Sequence, residues 1–280
     1  MKTRFATRLY TALGATMAFV LLAAPAHAQY KPRPLNDPAT GESYHIEASA
    51  SWWFSSADMV FASGGSGALT GIAGTSIDGK KDLGLQDEKF PIFKLVLRAS
   101  QRNKFRAEVI PIKFDAQATL KKDIVFNGQR YATNLPVNTT LDWKAYRLAY
   151  EFDFVSTNRG FGGIILEAKY TDVEVQIASP VRSDHATARA PIPALGGIAR
   201  VYVVPNISIT GELTGLKIPA DIVKDFEAHY FDFDIYGTVN FTNNIGLQAG
   251  YRSLDVGYLL KTDTGSFTLR GQYVGVVARY

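Results

Sequence analysis

Apolar and polar positions alternate along most of this chain. From Tyr44 to Phe54 the even positions are Tyr44, Ile46, Ala48, Ala50, Trp52 and Phe54, while the odd ones include His45, Glu47, Ser49 and Ser51. A period of two marks a strand with one apolar and one polar face. The same period recurs in Phe93–Arg98, Tyr146–Phe154, Ile164–Tyr170, Ile207–Leu213 and Phe231–Ile235, and in the segment ending at Tyr280. Helical periodicity is nearly absent, a short turn after Pro219, around 221–227, being the exception. The pattern predicts strands at 44–55, 90–100, 104–115, 138–154, 161–177, 193–204, 207–216, 229–241, 245–260 and 266–280.

The connections alternate in length. Short ones lie at Gln101–Asn103, Ser156–Gly160, Pro205–Asn206 and Thr242–Asn244; longer polar ones lie at Ser55–Lys89, Thr119–Pro136, Ser179–Ile192 and Leu216–Ala228, with Thr262–Gly265 shorter than these. Tight turns at one end and long loops at the other predict an all-β fold, a closed antiparallel up-and-down transmembrane β-barrel. About ten strands are expected, with eight as the alternative; an even count places both termini at the short-turn end. Phe105, Phe152, Phe154, Phe161, Phe241 and Tyr280 lie beside the short turns, as an interfacial aromatic girdle would. Many strands supply the nine to eleven residues that a tilted crossing needs. A soluble periplasmic β-barrel binder would show the same alternation with its faces exchanged, and remains an alternative at this point.

The N-terminus predicts export from the cytoplasm. Lys2, Arg4 and Arg8 precede an apolar stretch, Leu9–Ala24, and then Ala26-His27-Ala28, the arrangement of a cleaved signal peptide. The expected division is a signal peptide at 1–28, a Pro-containing periplasmic tail at 29–43 and an outer-membrane barrel at 44–280. Three positive charges of the net +4 lie in the signal segment, so the remainder is close to neutral and nucleic acid is not implied as a partner. The chain has no Cys, which excludes a lipoprotein anchor, disulfides and thiolate metal sites.

The ending Gly271-Gln272-Tyr273-Val274-Gly275-Val276-Val277-Ala278-Arg279-Tyr280 resembles the C-terminal strand of small OmpA/OmpW-type outer-membrane barrels. Val274, Val276, Ala278 and Tyr280 follow that pattern; Gln272 departs from it. Gly250–Val256 and Asp82–Leu85 are also similar to segments of uncharacterised members of this broad group. The resemblance implies localisation in the outer membrane. It implies outer-membrane lipid, periplasmic chaperones and the barrel-assembly machinery as partners, with Tyr280 as the assembly signal.

Candidate chemistry is sparse. Gly74–Lys81 approaches a phosphate-binding loop, but Lys81 stands where Ser or Thr is required and no helix-rich context follows, so it reads as a surface loop. His45, Glu47 and Ser49 share a strand face, at a spacing of roughly 7 Å per step that is too long for a hydrogen-bonded triad. Asp184-His185 resembles the acid and His pairing of outer-membrane proteases, the omptins, without that family's further aspartates. Asp78, Asp82, Asp87 and Glu88 lack the spacing of a calcium loop. No catalytic residue, metal or cofactor is assigned.

If the apolar faces meet lipid, Lys94, Arg98, Arg106, Arg147, Lys169, Arg200 and Arg252 face inward, with Glu47, Glu108, Glu151, Asp153, Glu167, Glu212, Asp232 and Asp234. Seven cations against eight carboxylates predict a salt-bridged, largely closed lumen. The function expected is therefore non-enzymatic: a structural or surface role, or narrow passage or binding of a small or amphipathic solute. A surface enzyme acting on lipid or peptide, omptin-like or lipid-A-modifying, is the alternative. At Thr242–Asn244 a three-residue hairpin is expected, with Asn244 left-handed and Phe241 opposite Ile245. That register sets Asp234 against Arg252 and predicts an ion pair between them.

Overall fold

A computed structural model describes residues 39–65, 71–180, 182–219, 226–260 and 263–280. The expected signal peptide, most of the tail and residues 221–225 of the expected helical turn at 221–227 lie outside these residues; Phe226 and Glu227 begin a strand instead. The elements are β1 (Ile46–Ala62), β2 (Ile77–Asp78), α1 (Gly79–Leu83), β3 (Glu88–Arg98), β4 (Asn103–Thr119), β5 (Ile124–Phe126), β6 (Gln129–Tyr131) and β7 (Pro136–Thr157). They continue with β8 (Gly160–Ser179), β9 (Arg182–Val204), β10 (Ile207–Ile218), β11 (Phe226–Asn240), β12 (Ile245–Leu260) and β13 (Asp263–Arg279).

Ten of these strands form a closed antiparallel barrel in the order β1, β3, β4, β7, β8, β9, β10, β11, β12, β13, and β13 closes it by pairing with β1 from Glu47–Arg279 to Ala62–Thr264. All ten expected strands are present. β2 adds to the far end of β1, and β5–β6 is a separate hairpin.

The strands run further than expected at the long-connection end. Ser179–Ile192 was expected as a loop, but β8 and β9 pair from Gly160–Val201 through to Ser179–Arg182. Small residues hid the strand, and so did Pro191 and Pro193. These prolines do no harm to the sheet. Tyr202 donates its backbone N–H to Arg159, so even residues of β9 address β8 and odd ones address β10. The β9–β10 ladder ends at Leu195, so Pro191 and Pro193 lack N–H groups only where no ladder needs them.

The apolar period changes phase part-way up the wall. On β7 the outward positions Phe154, Tyr150, Leu148 and Tyr146 give way to Lys144, Asp142, Thr140 and Asn138, while the inward positions change from Asp153, Glu151 and Arg147 to Trp143, Leu141 and Val137. β4 switches between Val109 and Ile110, and β8 between Tyr170 and Val173. Val109, Tyr146 and Tyr170 are neighbours in register, so the switch occurs at one level. Toward the short turns the outside is apolar and the inside charged, as lipid contact demands; beyond the switch the outside is polar and the inside apolar, as in a water-soluble barrel.

The expectation of a polar lumen thus holds for the short-turn half alone. The other half contains a packed core that includes Trp53, Phe61, Phe90, Phe114, Trp143 and Phe267. A cap closes this end. Asp78 caps α1 by accepting from the Lys80 and Lys81 amides, and Gly84, at φ 73°, ends the helix in the left-handed conformation that glycine adopts at least cost. Thr75 donates to Val125, Asn127 donates to Ser63, and the Phe126 ring meets Phe61 edge-on, which ties the β5–β6 hairpin to the cap.

Two expectations near the short turns need correction. Phe161 belongs to the interior and not to the girdle, because odd residues of β8 point inward; its ring lies 3.4 Å from Lys104 Nζ. The Thr242–Asn244 turn keeps the expected register, but Asn244 is not left-handed. The Thr242 hydroxyl instead accepts from the Asn244 and Ile245 amides at 3.1 Å, satisfying the turn without a positive φ.

Candidate functional site

The charged half of the lumen is where chemistry concentrates. Period two aims one side chain in two from each strand at the axis, and the lipid-facing requirement leaves only the polar phase to fill it. Salt bridges link thirteen of these groups in strict alternation of sign: Asp153, Lys104, Glu151, Arg106, Glu212, Arg147, Glu167, Lys169, Asp232, Arg252, Glu108, Lys94 and Asp234. Lys104 lies 2.6 Å from Glu151 and 2.8 Å from Asp153, Arg106 bridges Glu151 at 2.6 Å and Glu212 at 2.9 Å, and Lys94 lies 2.7 Å from Asp234. Each cation along the series lies between two carboxylates.

Twelve of the fifteen charged residues expected to face inward belong to this series. Glu47, Arg98 and Arg200 stand outside it. Glu47 accepts from Arg279, and Arg200 lies 2.7 Å from Glu42. Lys104, Arg279 and Glu42 were missed. Lys104 shares the parity of Arg106 and Glu108, and Arg279 that of Tyr273 and Val277, so strand phase alone identifies both; Glu42 lies before the first strand and has no such signal. Including them, the inward groups named number nine cations and nine carboxylates.

Asp234 and Arg252 are cross-strand neighbours, yet they are not ion-paired. Arg252 donates from Nε and Nη2 to the two oxygens of Asp232 at 2.9 and 2.7 Å, and from Nη2 to Glu108 at 2.6 Å. Asp234 accepts from Lys94 at 2.7 Å and from the Tyr273 hydroxyl at 2.8 Å. Long side chains lean along the strand and reach diagonal or opposite-wall partners, so register fixes which groups are near but not which pair.

The segment before β1 crosses the mouth at the short-turn end. Ala39 donates to Asn158, Thr40 to Pro205 and His45 to Tyr280, while Asn240 Nδ2 donates to the Thr40 carbonyl at 2.7 Å. The Glu42 carboxylate accepts from Arg200 and, at 2.9 Å, from the Tyr202 hydroxyl. Burial pushes the Glu42 carboxyl upward, and Arg200 together with the two hydrogen bonds more than offsets this, leaving it below the ordinary glutamate range. Gly41, at φ 87°, packs against Arg279 and Asn240, where a Cβ would collide with the guanidinium.

At the boundary between the two halves lies a cavity of about 20 Å³, lined among others by Trp143, Thr171, Arg252 and Lys169. It is the size of one or two water molecules. The Trp143 Nε1, Thr171 Oγ1 and Arg252 Nη1 atoms are buried there without a protein partner.

The remaining candidate groups do not converge. Asp184 accepts from Tyr131 Oη at 3.1 Å, while the His185 side chain is exposed on the opposite face of β9. His45 is exposed and Glu47 is engaged by Arg279. Asp78, Asp82 and Asp87 are paired with Lys81, Lys122 and Lys80, and among the described residues no cluster of three or more His, Asp or Glu is arranged to hold a metal ion. Gly74–Lys81 serves the cap.

No protein-family model and no curated protein sequence matches the chain. Solved structures do match it. The outer membrane protease OmpT from Escherichia coli is similar with a TM-score of 0.56, at 8% identity, over 88% of this chain and 100% of that one. The translocator domain of the autotransporter NalP from Neisseria meningitidis matches at 0.44 and 10% identity over 97% of this chain and 98% of that one. The likeness to OmpT, together with the closed ten-stranded antiparallel wall, gives this chain the fold of the outer-membrane β-barrels.

Proposed function

We propose that the protein is an exported, non-enzymatic, integral outer-membrane barrel with a structural or surface role, one that binds or narrowly passes at most a small or amphipathic solute. The observation that supports this reading is the alternating series of thirteen lumen charges lying in line with an apolar core and a cap. Buried ions held between opposite charges are expensive to separate, so an ion or sugar has no wide aqueous path. Residues 1–28 would direct export and be removed, and Tyr280 would be read by the barrel-assembly machinery after escort by periplasmic chaperones. Proteolysis, the activity in OmpT's name, is not adopted, because Asp184 and His185 point to opposite faces of their strand.

Fractionation and planar-bilayer recording test the reading together. The mature protein is expected in the outer membrane, heat-modifiable on detergent gels and almost silent in conductance. Recovery as a soluble periplasmic monomer, or large stable channels, overturns it.

A further inference from the structure

The barrel wall contains a seam whose cause is legible in four residues. β3 and β4 pair from Arg98–Lys104 to Phe93–Val109 and then stop, although both strands continue. Ala99 donates to Asn103 at 3.0 Å, whereas Arg98 donates the other way, to His45. Odd residues of β3 therefore address β4, and hydrogen-bonded pairs recur at every second step. The next such pair beyond Phe93–Val109 would be Pro91 with Pro111, and the one after it Lys89 with Lys113.

Neither proline has an N–H to donate, so that rung cannot form. The following rung would set two like charges directly opposite each other. The flanking ladders lose nothing. Asp153 donates to Arg102, which shows that even residues of β4 address β7, and Pro91 likewise turns its N away from β1. Pro and Lys on facing edges are the devices by which proteins keep strand edges from joining.

The outward surface around the seam has a definite chemistry. Phe93 and Trp52 are about half exposed and belong to the apolar belt, Trp52 being in register with Pro91. Directly above lie the exposed Lys89, Lys113 and Lys144, the last in register with Pro111. The acids nearby are Asp142, in register with Lys113, Asp115, 3.3 Å from Lys113, and Asp172, in register with Lys144 and paired with Arg189 at 3.0 Å. The Lys113–Asp115 pair is more than half exposed on both sides, so it leaves the lysine available to another anion. Lys89 Nζ rests 5.3 Å from the centre of the Phe54 ring.

We propose that this seam is a binding site for one lipid with a net-negative phosphate headgroup, from the leaflet at the long-connection end. Its phosphate sits among Lys89, Lys113 and Lys144, and its acyl chains lie along Pro91, Pro111 and Phe93, where the missing rungs let β3 and β4 part. The cations mark the level of headgroups because the wall changes from apolar to polar there, and an apolar floor beneath them selects an amphipathic ligand over a free anion. The proposal rests on the membrane placement given under Proposed function and names the lipid class that the placement brings to the wall.

The test uses the mature barrel in detergent micelles doped with phosphatidylcholine, phosphatidic acid, palmitate or inorganic phosphate, read by native mass spectrometry. One phosphatidic acid is expected to be retained, with at least a tenfold loss in K89Q/K113Q/K144Q and none in K217Q/R270Q. Equal retention of phosphatidylcholine, of palmitate, or by the triple variant overturns the site. Hydrogen exchange on the wild-type barrel provides a second measurement: phosphatidic acid should slow the Lys89 and Lys113 amides while inorganic phosphate does not, and unchanged exchange with the lipid also overturns the proposal. Failure of the membrane reading would show separately, as the absence of a heat-modifiable band.

Discussion

The Arg252 guanidinium grips both carboxylate oxygens of Asp232, although Asp234 is the residue directly opposite it across the β11–β12 ladder. The diagonal carboxylate lets Arg252 keep Glu108 on the opposite wall at the same time. A double-mutant cycle between Arg252 and Asp232 should return a coupling of about 1–3 kcal/mol, and a cycle between Arg252 and Asp234 much less. Reversible urea unfolding in lipid vesicles measures both; equal couplings would mean that register decides the pairing.

Replacing Arg252 with Leu leaves buried Asp232 with Lys169 as its remaining cation and buried Glu108 with Lys94. The cost expected is about 3–5 kcal/mol, and removing Asp232 as well should recover part of it. The same unfolding assay reads the difference. A double variant less stable than the single one would show that Lys169 depends on Asp232 more than Arg252 does.

Substitutions on β7 should report the phase change. Leu148 faces lipid, so Leu148→Arg is expected to cost about 2–4 kcal/mol. Thr140→Arg, eight residues along on the same outward face, should cost almost nothing. Trp143→Ala, inward beyond the switch, should cost about 3–5 kcal/mol as a core truncation. Equal costs for the two arginines would place the bilayer elsewhere.

Glu42 ties the strap at the mouth to pH. Its folded-state carboxyl titrates below the ordinary glutamate range, so the stabilisation is present above that range and is lost as pH falls through the lowered value. Hydrogen exchange at 39–45 should therefore accelerate only on acidification below the ordinary glutamate range. Glu42→Gln should show fast exchange at neutral pH with little further change; acid sensitivity retained in that variant would assign the effect to another group.

Tyr280 separates assembly from stability. The residue is 86% exposed, while its backbone exchanges hydrogen bonds with Ile46. Tyr280→Ala should slow the appearance of folded barrel in cells and leave urea stability in vesicles within about 0.5 kcal/mol. A variant that assembles at the normal rate would remove the assembly role.

The ten strands and the β11–β12 register were legible because period two and turn chemistry are local properties of the chain. The partner choices of Asp234 and Arg252 were not, since they depend on walls brought together by closure. The phase change lies in between. Ile110, Ile112 and Phe114 follow Phe105, Ala107 and Val109 with opposite parity, so the signal is present, but reading the strand as a single amphipathic unit conceals it. Gln272 has the same explanation: it departs from the terminal apolar pattern because the outward face of β13 turns polar there, at Gln272 and Arg270.

The level at which the wall changes phase also acts as a ruler. Sliding the barrel outward by one rung would lift the exposed rings of Phe93, Tyr146 and Tyr170 toward water, and sliding it inward would drag Lys144 and Lys113 into hydrocarbon. Both displacements are opposed on several strands at once, so the depth of immersion is written into the barrel wall itself. A bilayer whose thickness does not match the interval between that level and the short turns must itself deform, and the protein is thereby suited to one membrane among several.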